Sequence, residues 1–276
     1  MNILKTTARA VGKRPFILVL IGILMLAAAI ANASIPVMAM MIGIVNMTSA
    51  GVFESLLSVL QMLIDPGIIP MLLKLLAVMA ILSSIAAGLL LPGYLLIVDD
   101  GMAMGRKKKG LFLEGLKSYF FKFFFITLKT VLFTAFFVIF LMVASVPAII
   151  VTRAAFTTKP DLLLGALFID LVTAGVFLMC LSFFKAYVYM WYIAASKGEK
   201  SPFKNGKAVA ERQFGRLALG LLVFDVIFVA VIFLIYLSDN QFFRYTAGWA
   251  SATVIFTTLA VYLVQAYKAG ADNSQN

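Results

Sequence analysis

Histidine is absent from all 276 residues of the chain, and cysteine occurs once, at position 180. Without histidine the chain cannot form Ser-His-Asp or Cys-His catalytic groups, histidine metal sites or imidazole proton relays. A single cysteine excludes an intramolecular disulfide and a cysteine-rich metal centre. Nucleotide and hydrolase signatures such as a P-loop, G-x-G-x-x-G and G-x-S-x-G are missing as well. We therefore predict a protein that is not an enzyme and that uses no metal or cofactor.

Charged residues are also scarce, at 13% of the chain, whereas 63% of the residues are hydrophobic. The mean hydropathy of +1.05 exceeds what the surface of a soluble domain of this length tolerates. The apolar runs recur along the whole length of the chain. This composition predicts a single integral membrane domain over residues 1–276.

Six apolar runs reach the length of about 20 residues that a membrane-spanning helix needs. They cover residues 16–45, 67–98, 119–150, 161–195, 215–237 and 246–267. The predicted fold is therefore all-α, a polytopic membrane helical bundle of about six transmembrane helices. A cleaved signal peptide is the alternative for the first run, because "ANA" (31–33) fits a cleavage site after a basic head and an apolar stretch. The apolar run continues to Val45, which favours a span.

The net charge of +11 has an informative distribution, because the cations lie beside the apolar runs. The head (residues 1–14), the second loop (106–122) and the fourth loop (197–216) are basic, whereas the other connections are not. This alternation predicts a multi-pass protein of the cell membrane with both termini in the cytoplasm. It also predicts anionic membrane lipids at the cytoplasmic face as partners, and it argues against nucleic acid. Protein partners stay open.

The two basic loops resemble each other. "GYLLIVDD" (93–100) leads to "FLEGLKSYFFKFF" (112–124), and "AYVYMWYI" (186–193) leads to "FKNGKAVAERQF" (203–214). Both loops contain F-x-x-G, at 112–115 and 203–206, at the start of the basic segment. The head, "ILKTTARAVGKRPF" (3–16), is also a basic segment before an apolar run, but it lacks F-x-x-G. One interpretation is three helical hairpins, each introduced by an interfacial helix. The other is chance similarity between sequences of biased composition.

Between the first two spans, "GVFESLLSVLQMLIDPG" (51–67) is apolar at many helical positions and ends at helix-breaking residues. We predict a short helix lying on the outer surface. A lid over a cavity is the alternative.

The stretch "DDGMAMGRKKKG" (99–110) combines two carboxylates with four consecutive cations. It matches the D-G-x-x-A-R signature of phospholipid-making transferases only at Asp100 and Gly101, and too few oxygen ligands follow for a divalent metal. We therefore interpret it as an anchor at the cytoplasmic face. Because carboxylates at a helix C-terminus oppose the helix dipole, we expect the cations of 106–109 to compensate them.

Three ionisable residues, Lys129, Asp170 and Asp225, lie about 13–17 Å inside the predicted spans, near the middle of a ~30 Å hydrocarbon core. A charge facing lipid at that depth costs several kcal/mol. We therefore predict a polar site in which Lys129 pairs with one aspartate. The other aspartate is then protonated, or it binds a cation or a cationic substrate group. A purely structural ion pair is the alternative.

The six-span layout, with "GYLLIVDDGMAMGRKKKGLFLEGLKSYFFKFF" (93–124) weakly repeated later, resembles poorly characterised prokaryotic membrane proteins. They are six-span proteins of unknown role and the membrane domain attached to some glycerophosphodiester phosphodiesterases. The resemblance implies the helical topology and no catalytic residue, and the 276 residues contain no soluble phosphodiesterase domain. We expect a non-enzymatic membrane protein with an envelope, assembly or binding role. The alternative is a small transporter or permease subunit that uses the intramembrane charges.

Overall fold

The structure is a computed structural model that describes residues 3–34, 66–103, 106–157 and 160–272. The protein is all-α, and the described residues contain no strand. The elements are α1 (Ile3–Lys13), α2 (Phe16–Ser34), α3 (Ile69–Met102), α4 (Leu111–Thr157), a 3₁₀ turn (Pro160–Leu162), α5 (Leu163–Ser196), α6 (Pro202–Arg212), α7 (Phe214–Tyr236) and α8 (Gln241–Asp272).

Five of these helices, α3, α4, α5, α7 and α8, are long and apolar enough to cross a membrane. They confirm the helical character of five of the six predicted spans. The first predicted span begins as α2, and its remainder lies outside the described residues. Most of the predicted surface helix at 51–67 lies outside them too, and its last two residues belong to a turn that precedes α3. Helices are the form that apolar runs take in lipid because every backbone hydrogen bond is made within the segment.

Two short basic helices differ from the long ones, since each of α1 and α6 has 11 residues and separates apolar from polar side chains. A break follows each of them. Arg14 and Pro15 separate α1 from α2, and Gln213, with φ −120°, separates α6 from α7. The third predicted entry segment, residues 112–124, is instead the beginning of the 47-residue helix α4. No proline or polar break interrupts the chain there, so the helix continues.

The described chain falls into two compact units. The first consists of residues 3–34, 84–103, 106–127 and 182–272, and the second of residues 66–83, 128–157 and 160–181. Helices α3, α4 and α5 contribute residues to both.

The first unit has a well-packed core. Its largest fully buried side chains include Phe123, Met190 and Leu217. Helix α8 packs against α2, and the Trp249 indole Nε1 donates to the Gly22 carbonyl at 2.7 Å. This hydrogen bond joins two helices from opposite ends of the sequence.

The packing of the first unit explains the glycine of each F-x-x-G motif. A methyl group placed on Gly115 would lie 2.8 Å from the Gly93 Cα atom, and one on Gly206 would lie 2.8 Å from the Met190 carbonyl oxygen. In both loops, therefore, the glycine lets the start of the basic segment cross the end of the preceding long helix at backbone contact. The similarity between the two loops has a common structural use.

The loop after α5 begins with a glycine-dependent helix end. Gly198 has φ +79°, its N–H donates to the Ala195 carbonyl at 3.1 Å, and the Glu199 N–H donates to the Ala194 carbonyl at 3.3 Å. This pair of bonds is the Schellman motif, which satisfies two carbonyls of the last turn. It turns the chain from α5 towards α6.

The second unit buries little of its apolar surface. Exposed side chains include Met71 at 72%, Phe136 at 70% and Leu164 at 83% exposed. Such surfaces are expected where hydrocarbon, and not water, is the solvent.

Candidate functional site

Asp100, near the end of α3, is the centre of a charge cluster in the first unit. Its Oδ2 accepts from the Arg14 Nε at 2.7 Å and lies 2.6 Å from a second Arg14 nitrogen. The Lys13 ammonium donates to the backbone carbonyls of Asp100, at 2.6 Å, and Ala103, at 2.8 Å. The Asp100 carboxylate, its own carbonyl and the carbonyl just after the end of α3 therefore receive their cations from the head of the chain.

Asp99 receives two further cations from distant segments. Lys197, just after α5, lies 2.6 Å from Oδ2, and Lys268, near the end of α8, lies 2.7 Å from Oδ1. We call Asp99, Asp100 and their four cations the acidic hub. The sequence predicts that the cations of 106–109 compensate the two carboxylates. That expectation is wrong, because the side chains of 106–109 are exposed and the hub uses cations from three other segments.

Asp225 forms the second charged site of the first unit. The Lys185 ammonium donates to both of its carboxylate oxygens, at 2.7 and 2.8 Å. Lys185 lies 11 residues before the end of α5 at Ser196, and Asp225 lies 11 residues after the start of α7 at Phe214. Each residue thus lies about 16 Å along its own helix from the end that leads to α6.

The Lys185–Asp225 pair remains accessible at the side of the helices. The side chains are 34% and 47% exposed, respectively. Helix α7 has 23 residues, which corresponds to a length of about 34 Å and to a single crossing of the hydrocarbon core. Because Asp225 is its central residue, the ion pair lies at about half the length of this helix.

Asp170 belongs to the second unit and has a different environment. Both of its carboxylate oxygens lie 2.9 Å from the Thr152 hydroxyl, which donates to them. Asp99, Asp100 and Asp225, which also lie on long helices, each have a lysine or arginine partner at 2.6–2.7 Å. In the part of the chain that the structure describes, Asp170 forms no salt bridge.

A groove of about 300 Å³ opens beside the Asp170 carboxylate. Two rows of residues line it, one on each helix: Ser145, Ala148, Ile149 and Thr152 on α4, and Asp170, Thr173, Ala174 and Phe177 on α5. Each row has the spacing i, i+3, i+4, i+7, which places its members on one face of a helix. Small side chains occupy most of both faces, so the two helices leave open space between them.

In the structure the two aspartates have partners other than Lys129, with which one of them was predicted to pair. Asp225 pairs with Lys185, and Asp170 accepts a hydrogen bond from Thr152. Lys129 lies on α4 in the second unit with an exposed side chain. Asp170 is also nearer to a helix end than predicted, because α5 begins at Leu163, only seven residues earlier.

Lys185 is not among the ionisable residues that the sequence predicts for a polar site, although it is the partner of Asp225. The signal in the sequence is that Lys185 and Asp225 lie equally far from the connection between α5 and α7. The pairing of Asp170 with Thr152 has a similar signal in the sequence. Thr152 lies five residues before the end of α4, and Asp170 lies seven residues after the start of α5.

Comparison of the chain with protein-family models, with curated proteins and with solved structures finds no match. The resemblance to six-span prokaryotic membrane proteins therefore stays a prediction.

Proposed function

We propose that this is a non-enzymatic, multi-pass protein of the cell membrane that binds another membrane protein through the surface around Lys185 and Asp225. The observation that carries the proposal is the partial exposure of this ion pair, 34% and 47%, at the centre of α7. Charges exposed to hydrocarbon at that depth cost several kcal/mol. A polar partner helix that covers the pair removes this cost.

The hydrogen bonding of the pair indicates what the partner contributes. A lysine ammonium has three donors, and Lys185 directs its described hydrogen bonds to one carboxylate. The carboxylate has further acceptor positions that face away from the ammonium. A hydroxyl, amide or carboxyl group on a neighbouring transmembrane helix complements such a pair, as interhelical hydrogen bonds do in membrane bundles.

The same proposal includes the topology and the lipid contacts. The basic side chains of 106–109 are exposed, as are Lys117, Lys204 and Arg212 in the other described segments that the positive-inside rule assigns to the cytoplasm. These cations suit the anionic headgroups of the inner leaflet. Both termini then lie in the cytoplasm.

Transport is the alternative function, and it requires a water-filled path to the charges. Asp225 is held by Lys185 at 2.7 Å, which favours a structural or partner-binding role for that carboxylate. Membrane assembly is therefore the function that the ion pair supports best.

Photo-crosslinking in the membranes of the source cells tests the proposal. A photoreactive residue at Val226, which is 59% exposed beside Asp225, should give a discrete protein adduct, and one at the buried Leu221 should not. The adduct should disappear in the double variant Lys185→Met, Asp225→Asn, which removes both charges together. It should persist in Asp239→Asn, a loop carboxylate used as control.

Two results would contradict the proposal. One is a Val226 variant that reacts with lipid alone while the protein is correctly inserted. The other is an adduct of unchanged yield in the double variant, because the ion pair would then not be part of the contact.

A further inference from the structure

We infer that the groove between α4 and α5 is a binding site for an amphiphile with an ammonium head and an apolar chain, with Asp170 as the residue that binds the head. The inference goes beyond the proposed function. It concerns the second unit and is independent of any partner at Asp225.

The Asp170 carboxylate has acceptor positions that the described chain leaves unused. A carboxylate has about four acceptor positions, and in the described chain it receives only the Thr152 hydroxyl. Asp99, Asp100 and Asp225 on the same set of long helices are, by contrast, neutralised by cations of the chain. A carboxylate beside an apolar groove without an internal cation is complementary to a cation supplied from outside the chain.

The register of the two helices sets the length of the groove. Thr152 faces Asp170 at one end of the groove, and Ser145 and Phe177 lie two turns away, seven residues along α4 and α5 respectively. Seven residues of helix correspond to about 10 Å. The groove therefore has its carboxylate at one end, and it is lined mainly by apolar atoms over a length that accepts part of a hydrocarbon chain.

The chemistry of the lining selects an ammonium over a metal ion. Divalent cations need six or more oxygen ligands, often several carboxylates. The described residues contain no group of three histidine, cysteine, aspartate or glutamate side chains that could hold a metal. An ammonium head needs one carboxylate and a few hydroxyl acceptors, which Asp170, Thr152 and Thr173 provide.

The size of the groove sets a limit on the ligand. Its volume of about 300 Å³ corresponds to roughly ten water molecules at ~30 Å³ each. It accommodates a head group and the first part of one chain, and the rest of the chain extends into the bilayer. A phospholipid with an ethanolamine head and a free long-chain amine share this chemistry.

The test uses the full-length protein in nanodiscs of phosphatidylglycerol, a lipid without an ammonium group. Two spin-labelled probes with the same stearyl chain are compared, one with a trimethylammonium head and one with a carboxylate head. Electron paramagnetic resonance measures the fraction of each probe that the protein immobilises. We expect the wild type to prefer the ammonium probe over the carboxylate probe.

Two groove variants and one control define the site. Asp170→Asn should reduce the relative affinity for the ammonium probe by about tenfold or more, because the electrostatic attraction between the carboxylate and the cationic head is lost. Ala174→Leu keeps the carboxylate but fills the groove, and it should also reduce binding. Asp239→Asn removes an exposed loop carboxylate and should bind as the wild type does. Thermal unfolding of each variant verifies that it is folded.

The outcomes separate the possible ligands. Displacement of the probe by added phosphatidylethanolamine identifies the lipid head, whereas displacement by stearylamine alone identifies a free amine, and either supports the site. If sodium chloride and tetramethylammonium chloride displaced the probe to the same extent as these amphiphiles, the proposed site would be overturned. A small cation without an apolar chain would then be enough to occupy it. Equal binding by wild type, Asp170→Asn and Ala174→Leu would overturn it as well. Neither result bears on crosslinking at Val226.

Discussion

Replacing Asp100 with asparagine tests the energetic role of the acidic hub. The Asp100 side chain is 9% exposed, and two Arg14 nitrogens lie 2.6 and 2.7 Å from one of its oxygens. Removing one partner of a buried ion pair costs about 3–5 kcal/mol, because the other charge stays buried without compensation. Arg14 keeps a hydrogen bond to the Lys108 carbonyl at 2.6 Å, which reduces the expected loss to about 2–3 kcal/mol.

The assay is thermal unfolding in one detergent, followed by the fluorescence of the two tryptophans of the chain. At about 2–4 °C per kcal/mol for a protein of this size, Asp100→Asn should lower Tm by about 4–12 °C. The control is Glu211→Gln. Glu211 pairs with Lys207 at 3.6 Å on the exposed side of α6, where such a pair contributes about 0.5 kcal/mol or less. A double-mutant cycle with Arg14→Gln isolates the Asp100–Arg14 term.

The reasoning would be refuted if Asp100→Asn and Glu211→Gln unfolded at the same temperature. It would also be refuted if the cycle gave no coupling between Asp100 and Arg14, since the cost would then come from elsewhere.

The backbone contacts give two further predictions, both measured by the same thermal unfolding. Gly115→Ala and Gly206→Ala should each destabilise the protein by about 1–3 kcal/mol, because the added methyl group meets backbone atoms that cannot move aside. Gly165→Ala is the control, since open space surrounds Gly165, and it should be neutral or slightly stabilising. Equal effects at all three positions would contradict this prediction. Trp249→Phe should cost about 1 kcal/mol by removing the indole hydrogen bond to Gly22, and an unchanged Tm would show that the bond does not stabilise the α2–α8 contact.

The helical architecture could be predicted because hydropathy is a local property of the chain. Each of the five long apolar helices corresponds to an apolar run that is visible without any tertiary information. The short helices α1 and α6 were visible too, as basic segments before an apolar run. The continuation of residues 112–124 into α4 was not, since an interfacial helix and the first turns of a long helix have the same composition.

Charge pairing could not be predicted in the same way. The partner of Asp225 depends on the rotation and the relative register of α5 and α7, and counting from predicted span ends placed Lys129 at a similar depth. The hub depends on segments that are far apart in sequence, so proximity in sequence pointed to the cations of 106–109 instead. The groove beside Asp170 did have a sequence signal, since both of its rows repeat at helical spacing.

The acidic hub also has a consequence for biosynthesis. Asp99 is translated before Lys197 and well before Lys268, which belongs to the last helix. A nascent chain that ends after α3 therefore carries a carboxylate whose two lysines have not yet been made. The pairing of this carboxylate is completed only when α8 has been inserted. The hub thus makes the first unit complete only with its final helix, and a product terminated before Lys197 is left with an unneutralised Asp99 on α3.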